Sequence, residues 1–530
     1  MKAAVYNRWL HQKGGGERHA VMAARVLAER FDTELITHRP IGRDELAEAL
    51  HIDLDGIAIR VIPALPPNRF AEVTREYDLF VNASFMTNQP SAAPHSLMLV
   101  LFPSPIDRSW PARLRQAIGR FLTRELLLPE WSDGFYDVQE LGRGWFRYAT
   151  DRACIKMRVP SGSKPVPIEI VAGNFQPDAD LPVRCRSNGT VIAEHCFAPR
   201  PGAFEAWRID VDRRFVRDGR VELTLESPTF NPTDRIAEAD NREVGLAVTD
   251  VRVRHPRHFL YEVLFRRMFR ELGLRLEGLP AFYSLDHLET YDMICPISEY
   301  SRAWMEVYWG CSGPLLYPPV DTSWAMPRTK TRTILSVGRF FRGTHEKKHG
   351  VMIDQFIRMC RDGLQGWTLR LAGHQSRRDI DLAYTAELRR RAAGHPVEFA
   401  IDAPFADLQR FYGEAQIYWH AAGYGERVER NPIKFEHFGI SVVEAMANEA
   451  VPVVLNQGGP PELVRDGHDG FLWSSTVELR ERTLRLVQDF SLRAGMARQA
   501  RESSERFNTS AFRERLNALV TEFVDDAPHP

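Results

Sequence analysis

The first hundred residues alternate between two hydrophobic rhythms. KAAVYN, near the N-terminus, is a short continuous apolar run of the kind that makes a buried strand. Three glycines, Gly14, Gly15 and Gly16, and Glu17 follow, and then HAVMAARVLAERF, whose apolar residues recur at helical spacing. Further strand-like runs at YDLFVNASF and SLMLVLFPSP alternate with helical stretches, which predicts a parallel sheet with crossover helices.

From about Leu128 the texture changes. WFRYAT, ACIKMRV, PIEIVA, VIAEHCF, AWRIDV, VELTLES and VGLAVTDVRVR are short β-prone runs separated by Gly, Pro, Asn and Asp. They predict an all-β sandwich over 129–255, inserted into a first α/β domain whose first part is 1–128. Helical patterning returns at FLYEVLFRRMFRELGL, then the strand YDMICPIS, the helix EYSRAWMEVYWG and the strand PLLYPPV complete that domain over 256–322. Pro318, Pro319 and TSWAMPRTKTR read as a linker. Strand and helix then alternate from TILSVGRF to about Glu505, giving a second α/β domain over 323–505, closed by a helical tail, FRERLNALVTEFV, within 506–530.

Composition fits this division. At 530 residues the chain exceeds one core and suggests three to four units. Lys plus Arg (69) nearly cancels Asp plus Glu (70), so no global field favours nucleic acid or an anionic bilayer, and any anion site is local. The six cysteines are scattered without a CxxC pair, as expected of reduced thiols in a cytoplasmic protein. The opening MKAAVYNRWL lacks the marks of a signal peptide, and no apolar stretch is long enough to span a bilayer, so a lipid-linked substrate would be met peripherally.

The second domain carries the chemistry. TILSVG ends at Gly338 and is followed by Arg339, then by Lys347 and Lys348 just before the helix VMIDQFIRM. This places basic residues at the carboxyl edge of a strand, where open α/β sheets bind ligands. An isolated basic cluster is more often a solvated loop face. In FEHFGISVVEAMA, however, Glu436 and Glu444 bracket His437, Phe438, Gly439 and Ile440. A carboxylate accepts paired hydrogen bonds from a diol, Gly439 lets the backbone approach a ligand, and a helix start aims N–H groups at phosphate. One segment could thus grip sugar, diphosphate and ribose.

With VPVVLNQGGPPELVRDGHDGFLW, SVGRFF…HEKKH, LRLAG and IYWHAAGYG in order, the second domain resembles glycosyltransferase family 4. GGGER, EHFGISVVE and GGP together are most similar to the dolichol-pathway mannosyltransferase branch and to bacterial surface-polysaccharide relatives. The resemblance implies a GT-B fold, two Rossmann-like domains facing a cleft. It also implies that Arg339 and Lys347 contact the donor diphosphate, Lys347 rather than Lys348. Glu436 would bind the donor sugar, Phe438, Gly439 and Ile440 would present backbone groups to it, and Glu444 would bind the ribose. His420, ending the strand QIYWH, would line the same cleft, although a lone strand-end histidine is more often structural. Gly14, Gly15 and Gly16 either make a tight turn or let a phosphate approach; they lack the spacing of a P-loop or GxGxxG fingerprint.

Many family members carry a first-domain histidine near the acceptor, whereas LMLVLFPSPID offers Phe102 and Pro103 there. The triplets DLD, DVD and DID do not sit where a metal-dependent glycosyltransferase of the other major fold needs them, so no metal and no cofactor is expected. Trp207 or Trp145 in the sandwich could stack on a glycan, but sandwich aromatics are usually core. The expected activity is retaining hexosyl transfer, mannose first, from a nucleoside-diphosphate sugar to a glycan or lipid-linked glycan at the inner membrane face. The rivals are a sugar-phosphate synthase type of enzyme with a soluble acceptor and a non-catalytic glycan-binding scaffold.

Overall fold

The computed structural model describes residues 1–106, 110, 114, 117, 129–136, 139–141, 144–176, 178–231, 242–256, 285–326, 328–343, 345–376 and 378–524. The first unit begins β1 (Lys2–Tyr6), α1 (Gly15–Leu27), β2 (Asp32–Thr37), α2 (Arg43–Leu50), β3 (Ala58–Val61), α3 (Pro67–Thr74), β4 (Leu79–Asn82) and β5 (His95–Val100). Their apolar runs are buried on both faces, as a sheet flanked by helices requires.

Ten strands follow: β6 (Pro129–Trp131), β7 (Gln139–Leu141), β8 (Gly144–Tyr148), β9 (Arg152–Arg158), β10 (Val166–Gly173), β11 (Leu181–Ser187), β12 (Thr190–Phe197), β13 (Glu205–Val211), β14 (Arg220–Glu226) and β15 (Ala247–Val253). They form two five-stranded antiparallel sheets, ordered β13-β10-β15-β8-β7 and β12-β11-β14-β9-β6. Alternate residues of β9 and β14 point inward, and Ile155, Ile170, Leu223 and Val251 meet in one core from both sheets. Trp207 is buried in that core, stacked on His195, and presents no free face to a glycan. The side chain of Trp145 lies outside the described residues, as does the helix expected from FLYEVLFRRMFRELGL.

After the sandwich, β16 (Met293–Pro296) pairs in parallel with β5 and completes a six-stranded sheet, β16-β5-β4-β1-β2-β3. α4 (Glu299–Tyr308) follows, capped by Ser298, whose hydroxyl accepts from the Ser301 N–H. The strand expected at PLLYPPV does not form. Pro314, Pro318 and Pro319 cannot donate to a ladder, and the segment makes one isolated bridge, between Val320 and Asn508.

The second unit runs β17 (Thr333–Val337), α5 (His349–Arg361), β18 (Thr368–Gly373), α6 (Asp379–Ala392), β19 (Val397–Ile401), α7 (Phe405–Glu414), β20 (Ile417–His420), α8 (Ile440–Ala447), β21 (Val451–Leu455), α9 (Pro460–Leu463), β22 (Phe471–Trp473), α10 (Thr476–Gln488) and α11 (Phe490–Ser504). Its parallel sheet is ordered β19-β18-β17-β20-β21-β22. In both parallel sheets the order reverses beside the first strand, between β1 and β4 and between β17 and β20, and such a switch point opens a ligand crevice at the strand carboxyl ends.

The last helix, α12 (Thr509–Val524), was expected to close the second domain. It packs instead on the first: Phe512, Leu516, Leu519 and Val520 share a core with Ala20, Val21 and Ala24 of α1. The amphipathic pattern of the helix is silent about which domain receives its apolar face.

Candidate active site

The second switch point gathers most of the expected residues. β17 delivers Gly338 and Arg339, and the following loop folds back over them, so that a Cβ on Gly338 would lie 2.6 Å from Lys347 Cγ. β20 ends at His420, next to β17. Between β20 and α8 the chain presents Glu436, whose Oε2 accepts from Lys347 Nζ and lies 3.0 Å from His420 Nε2. Burial opposes ionisation of Glu436, but the charge of Lys347 and the bonds from His420 and Lys347 outweigh it, holding the carboxyl well below its usual range. The group is an ionised carboxylate beside a cation.

Lys347 and Lys348 part company here. Lys348, with a left-handed backbone, turns away and pairs with Glu426 at 3.0 Å, and Glu426 also takes Lys434 at 3.0 Å. Only Lys347 reaches the Glu436 carboxylate.

Gly439 precedes α8 with φ 119°, a conformation L side chains rarely adopt, and it turns the chain from the Glu436 loop directly into the helix. Phe438 is buried against Tyr317 and Phe507, so what it offers the crevice is backbone. Beneath the loop, the Gly459 N–H donates to the Glu436 carbonyl at 2.7 Å, and α9 starts on Pro460 and Pro461, whose fixed φ suits a first turn. Glu444, one helical turn into α8, accepts from the Tyr412 hydroxyl at 2.7 Å. Burial raises its pKa against that bond and the charge of Arg18 from the first domain.

The first domain faces this crevice. Gly14 precedes α1 and its N–H donates to Glu17 at 2.9 Å, while a Cβ on Gly15 would lie 2.8 Å from Ile440 Cδ1 and one on Gly16 2.7 Å from Leu101 Cδ2. The glycine loop therefore turns tightly and also abuts the start of α8. Arg339 lies near enough to Glu17 for its charge to act on that carboxyl, which burial raises. Two residues of the quoted motifs, His345 and His437, were given no role from the sequence. His345 lies against Phe85 with ring centroids 6.0 Å apart, and His437 stacks on Phe102. Burial first, then Lys347 and Arg339 at His345 and then His345 and Lys347 at His437, against the opposing charge of Glu436, lower His345 to about 4 and His437 to about 3, so both are neutral imidazoles. Lying far apart in sequence, they share no spacing that would single them out; only the apposition of the domains brings them to Phe85 and Phe102. Of the acidic triplets, DID is engaged structurally, with buried Asp381 bonded by Arg378 and by the Arg342 N–H.

Two six-stranded parallel sheets whose switch-point crevices confront each other, one bearing an ion-paired Glu436 and Lys347 and the other a glycine loop, define the GT-B class of glycosyltransferase architecture. Within it, residues 325–503 match the family model described as Glycosyl transferases group 1. The chain is similar to dolichol-pathway mannosyltransferases. It is 27% identical over 232 residues to GDP-Man:Man(3)GlcNAc(2)-PP-Dol alpha-1,2-mannosyltransferase of Dictyostelium discoideum, covering 40% of this chain and 43% of that one. With the Homo sapiens protein of the same name it shares 28% over 321 residues, 56% of this chain and 60% of that one. The chain thus spans less than two thirds of the curated relatives it matches. Among solved structures, the Anabaena HepE complex with UDP aligns at TM-score 0.51 and 12% identity over 99% of this chain and 100% of that chain, and a Rickettsia africae glycosyltransferase at 0.52 and 10% over the same shares. At such identity the likeness is one of fold.

Proposed function

We propose that this chain is a retaining, metal-independent glycosyltransferase that moves a hexose, mannose first, from a nucleoside-diphosphate sugar to a glycan acceptor in surface-polysaccharide or lipopolysaccharide synthesis. The observation that carries this reading is the Glu436 carboxylate, kept ionised by Lys347 and His420 at the second switch point. Breaking a bond to a diphosphate develops negative charge on the leaving group, which pre-placed cations and helix N–H groups stabilise. Arg339, Lys347 and the start of α8 are such groups. In the free enzyme Lys347 is occupied by Glu436; a bound diphosphate would draw Lys347 to itself and leave Glu436, still held by His420, to accept from sugar hydroxyls. Glu444, with Tyr412 as its donor, would accept from the ribose. The likeness to mannosyltransferases named for GDP-mannose supports the hexose, and retention follows from the family resemblance.

Among the described residues no helix is long and apolar enough to cross a membrane, which accords with a peripheral enzyme meeting a lipid-linked acceptor from the cytoplasmic side. The test is a thermal-shift screen of nucleotide sugars followed by transfer assays with the best binder. A donor present at about a hundred times its Kd should stabilise by about 2.7 kcal/mol. Stabilisation by GDP-mannose and a product with unchanged anomeric configuration are expected; absence of a shift with every nucleotide sugar overturns the reading.

A further inference from the structure

Transfer at the second switch point makes no use of the sandwich. Where the sandwich meets the first domain there is a separate cleft, with a volume of about 500 Å³. Small-molecule sites commonly enclose about 300–1,000 Å³. One wall is α3. Its Arg69, Glu72 and Val73 lie at i, i+3 and i+4 positions, turned away from buried Phe70 and Thr74, and Glu76 continues that row just past the helix end. The other wall is the sandwich, where Asp151 sits in the turn from β8 to β9 and Thr229 and Glu243 adjoin the Phe230–Val244 bridge. Tyr136 is buried in the lining, its hydroxyl donating to the Glu243 carbonyl at 2.9 Å.

The two walls are tied together. Arg69 reaches across the cleft to Asp151 at 3.2 Å and along α3 to Glu72 at 3.5 Å, while Arg60 of β3 takes both oxygens of Glu76, at 2.7 and 3.1 Å. Each carboxylate oxygen has two lone-pair sites, so these pairs orient the acids and still leave them able to accept from a ligand. The cleft also adjoins the crevice between the domains. The loop after β4 carries Phe85, which lies against His345, and four residues on Gln89, whose Nε2 donates at 3.1 Å to the carbonyl of Leu65, a lining residue. The Cα atoms of Phe85 and Gln89 are therefore at most about 15 Å apart. From Leu65 the cleft runs beside α3, whose eight residues span about 12 Å.

The lining selects among occupants. Four carboxylates, of Glu72, Glu76, Asp151 and Glu243, outnumber the one lining arginine and repel an anion. Among the described residues no three acidic, histidine or cysteine side chains stand close enough to hold a metal ion, so these acids are spread out rather than gathered on a point charge. A lipid tail would strip water from them without return. Spread acceptors beside the Thr229 hydroxyl and the aliphatic Leu65 and Val73 match a neutral oligosaccharide, whose hydroxyls donate and whose ring C–H faces are apolar. We propose that the cleft between α3 and the sandwich binds the distal residues of a neutral glycan whose growing end lies at the transfer site, so that the enzyme favours longer acceptors. This rests on the transfer reading above.

Neutral tetrasaccharides of α-linked mannose, glucose and galactose are the probes, with spermidine as the cationic control. Titrated calorimetrically, at least one tetrasaccharide should bind wild type and the Lys347→Ala variant alike. Glu72→Ala with Asp151→Ala should weaken that binding roughly ten-fold. Glu72→Gln with Asp151→Asn, which keeps an acceptor oxygen at each position, should retain most of it. Both acids are exposed, so thermal unfolding followed by circular dichroism should not change. In transfer assays with acceptors of one to four sugar residues, KM should fall about ten-fold from the shortest to the longest in wild type and stay level in the double alanine variant, with kcat on the shortest unchanged. The proposal is overturned if no tetrasaccharide binds, if binding is undiminished in the double alanine variant, if spermidine alone binds, or if the length preference survives that variant. If no nucleotide sugar binds wild type, the transfer reading fails, while the tetrasaccharide titrations still read the cleft.

Discussion

Phe102 of the first domain and His437 of the second lie face to face, ring centroids 4.3 Å apart and planes 15° apart. Where the family resemblance implies a first-domain histidine, this chain has a phenylalanine, and the imidazole packed on it belongs to the neighbour of Glu436. The contact joins the two halves at the loop that carries Glu436.

Phe102→Ala should therefore loosen the apposition of the domains. Removing a buried phenylalanine costs up to about 3–5 kcal/mol where the site cannot collapse, and less at a boundary between domains. The expected outcome is a larger radius of gyration in small-angle scattering, an earlier urea midpoint, and transfer that falls more than donor affinity does. An unchanged scattering profile and rate would show that the stack holds nothing.

The two glutamates should separate kinetically. Glu444→Ala is expected to weaken donor binding about ten-fold or more, because it removes the acceptor proposed for the ribose hydroxyls. Glu436→Ala is expected to lower kcat chiefly, and it also leaves Lys347 without its carboxylate. Isothermal titration and initial rates check both; variants that bind and turn over like wild type would move the donor site elsewhere.

Acid should unfold this protein early. Burial lowers His19 and His349 to about 3 and, with cationic neighbours, His345 to about 4, from an ordinary value near 6.5. The unfolded chain then binds protons that the folded chain refuses, so stability is complete above pH 6.5 and is lost as pH falls toward the folded values. Each such histidine removes about 1.4 kcal/mol per pH unit over that window. Urea titrations at pH 7.5, 6 and 5 should show the loss, and His19→Phe, packed edge-on against Phe512 in wild type, should flatten it by one proton's worth. The same slope in the variant would mean that His19 protonates in the fold.

On the proposed reading, chelation should leave transfer unaffected, because Arg339 and Lys347 would supply the positive charge that other designs take from a divalent ion. Loss of turnover in EDTA, regained with manganese, would reverse that assignment.

Excision of 129–255 with a short flexible linker should leave nucleotide binding intact, since the sandwich has its own core and the residues proposed to bind the donor lie outside it. Arg69 of α3 pairs with Asp151 of the sandwich at 3.2 Å, an exposed contact whose loss costs little. A folded deletion protein that binds no nucleotide bound by wild type would contradict it.

Much of this was legible in the sequence because it is local. Strand-then-helix periodicity predicted β1, α1, β17 and α8, and the alternating runs predicted paired sheets, since each depends on neighbours a few residues away. The turn at Gly439 that leads from the Glu436 loop into α8 was legible through the glycine itself. What stayed hidden depends on contacts distant in sequence. The selection of Lys347 over Lys348 depends on Glu436 and Glu426, the roles of His345 and His437 depend on Phe85 and Phe102, and the failure of PLLYPPV to pair reflects prolines that apolar patterning does not weigh.

The docking of α12 on α1 has a consequence for how the protein is made. During synthesis the first domain emerges with β1 through β5 but without β16, which follows the sandwich, and without α12, which follows the entire second domain. His19 and the side of α1 that meets α12 stay uncovered until Phe512 has left the ribosome. The half that begins first is thus the half that finishes last, and a chain stalled within the second domain would expose that face to chaperones or to aggregation.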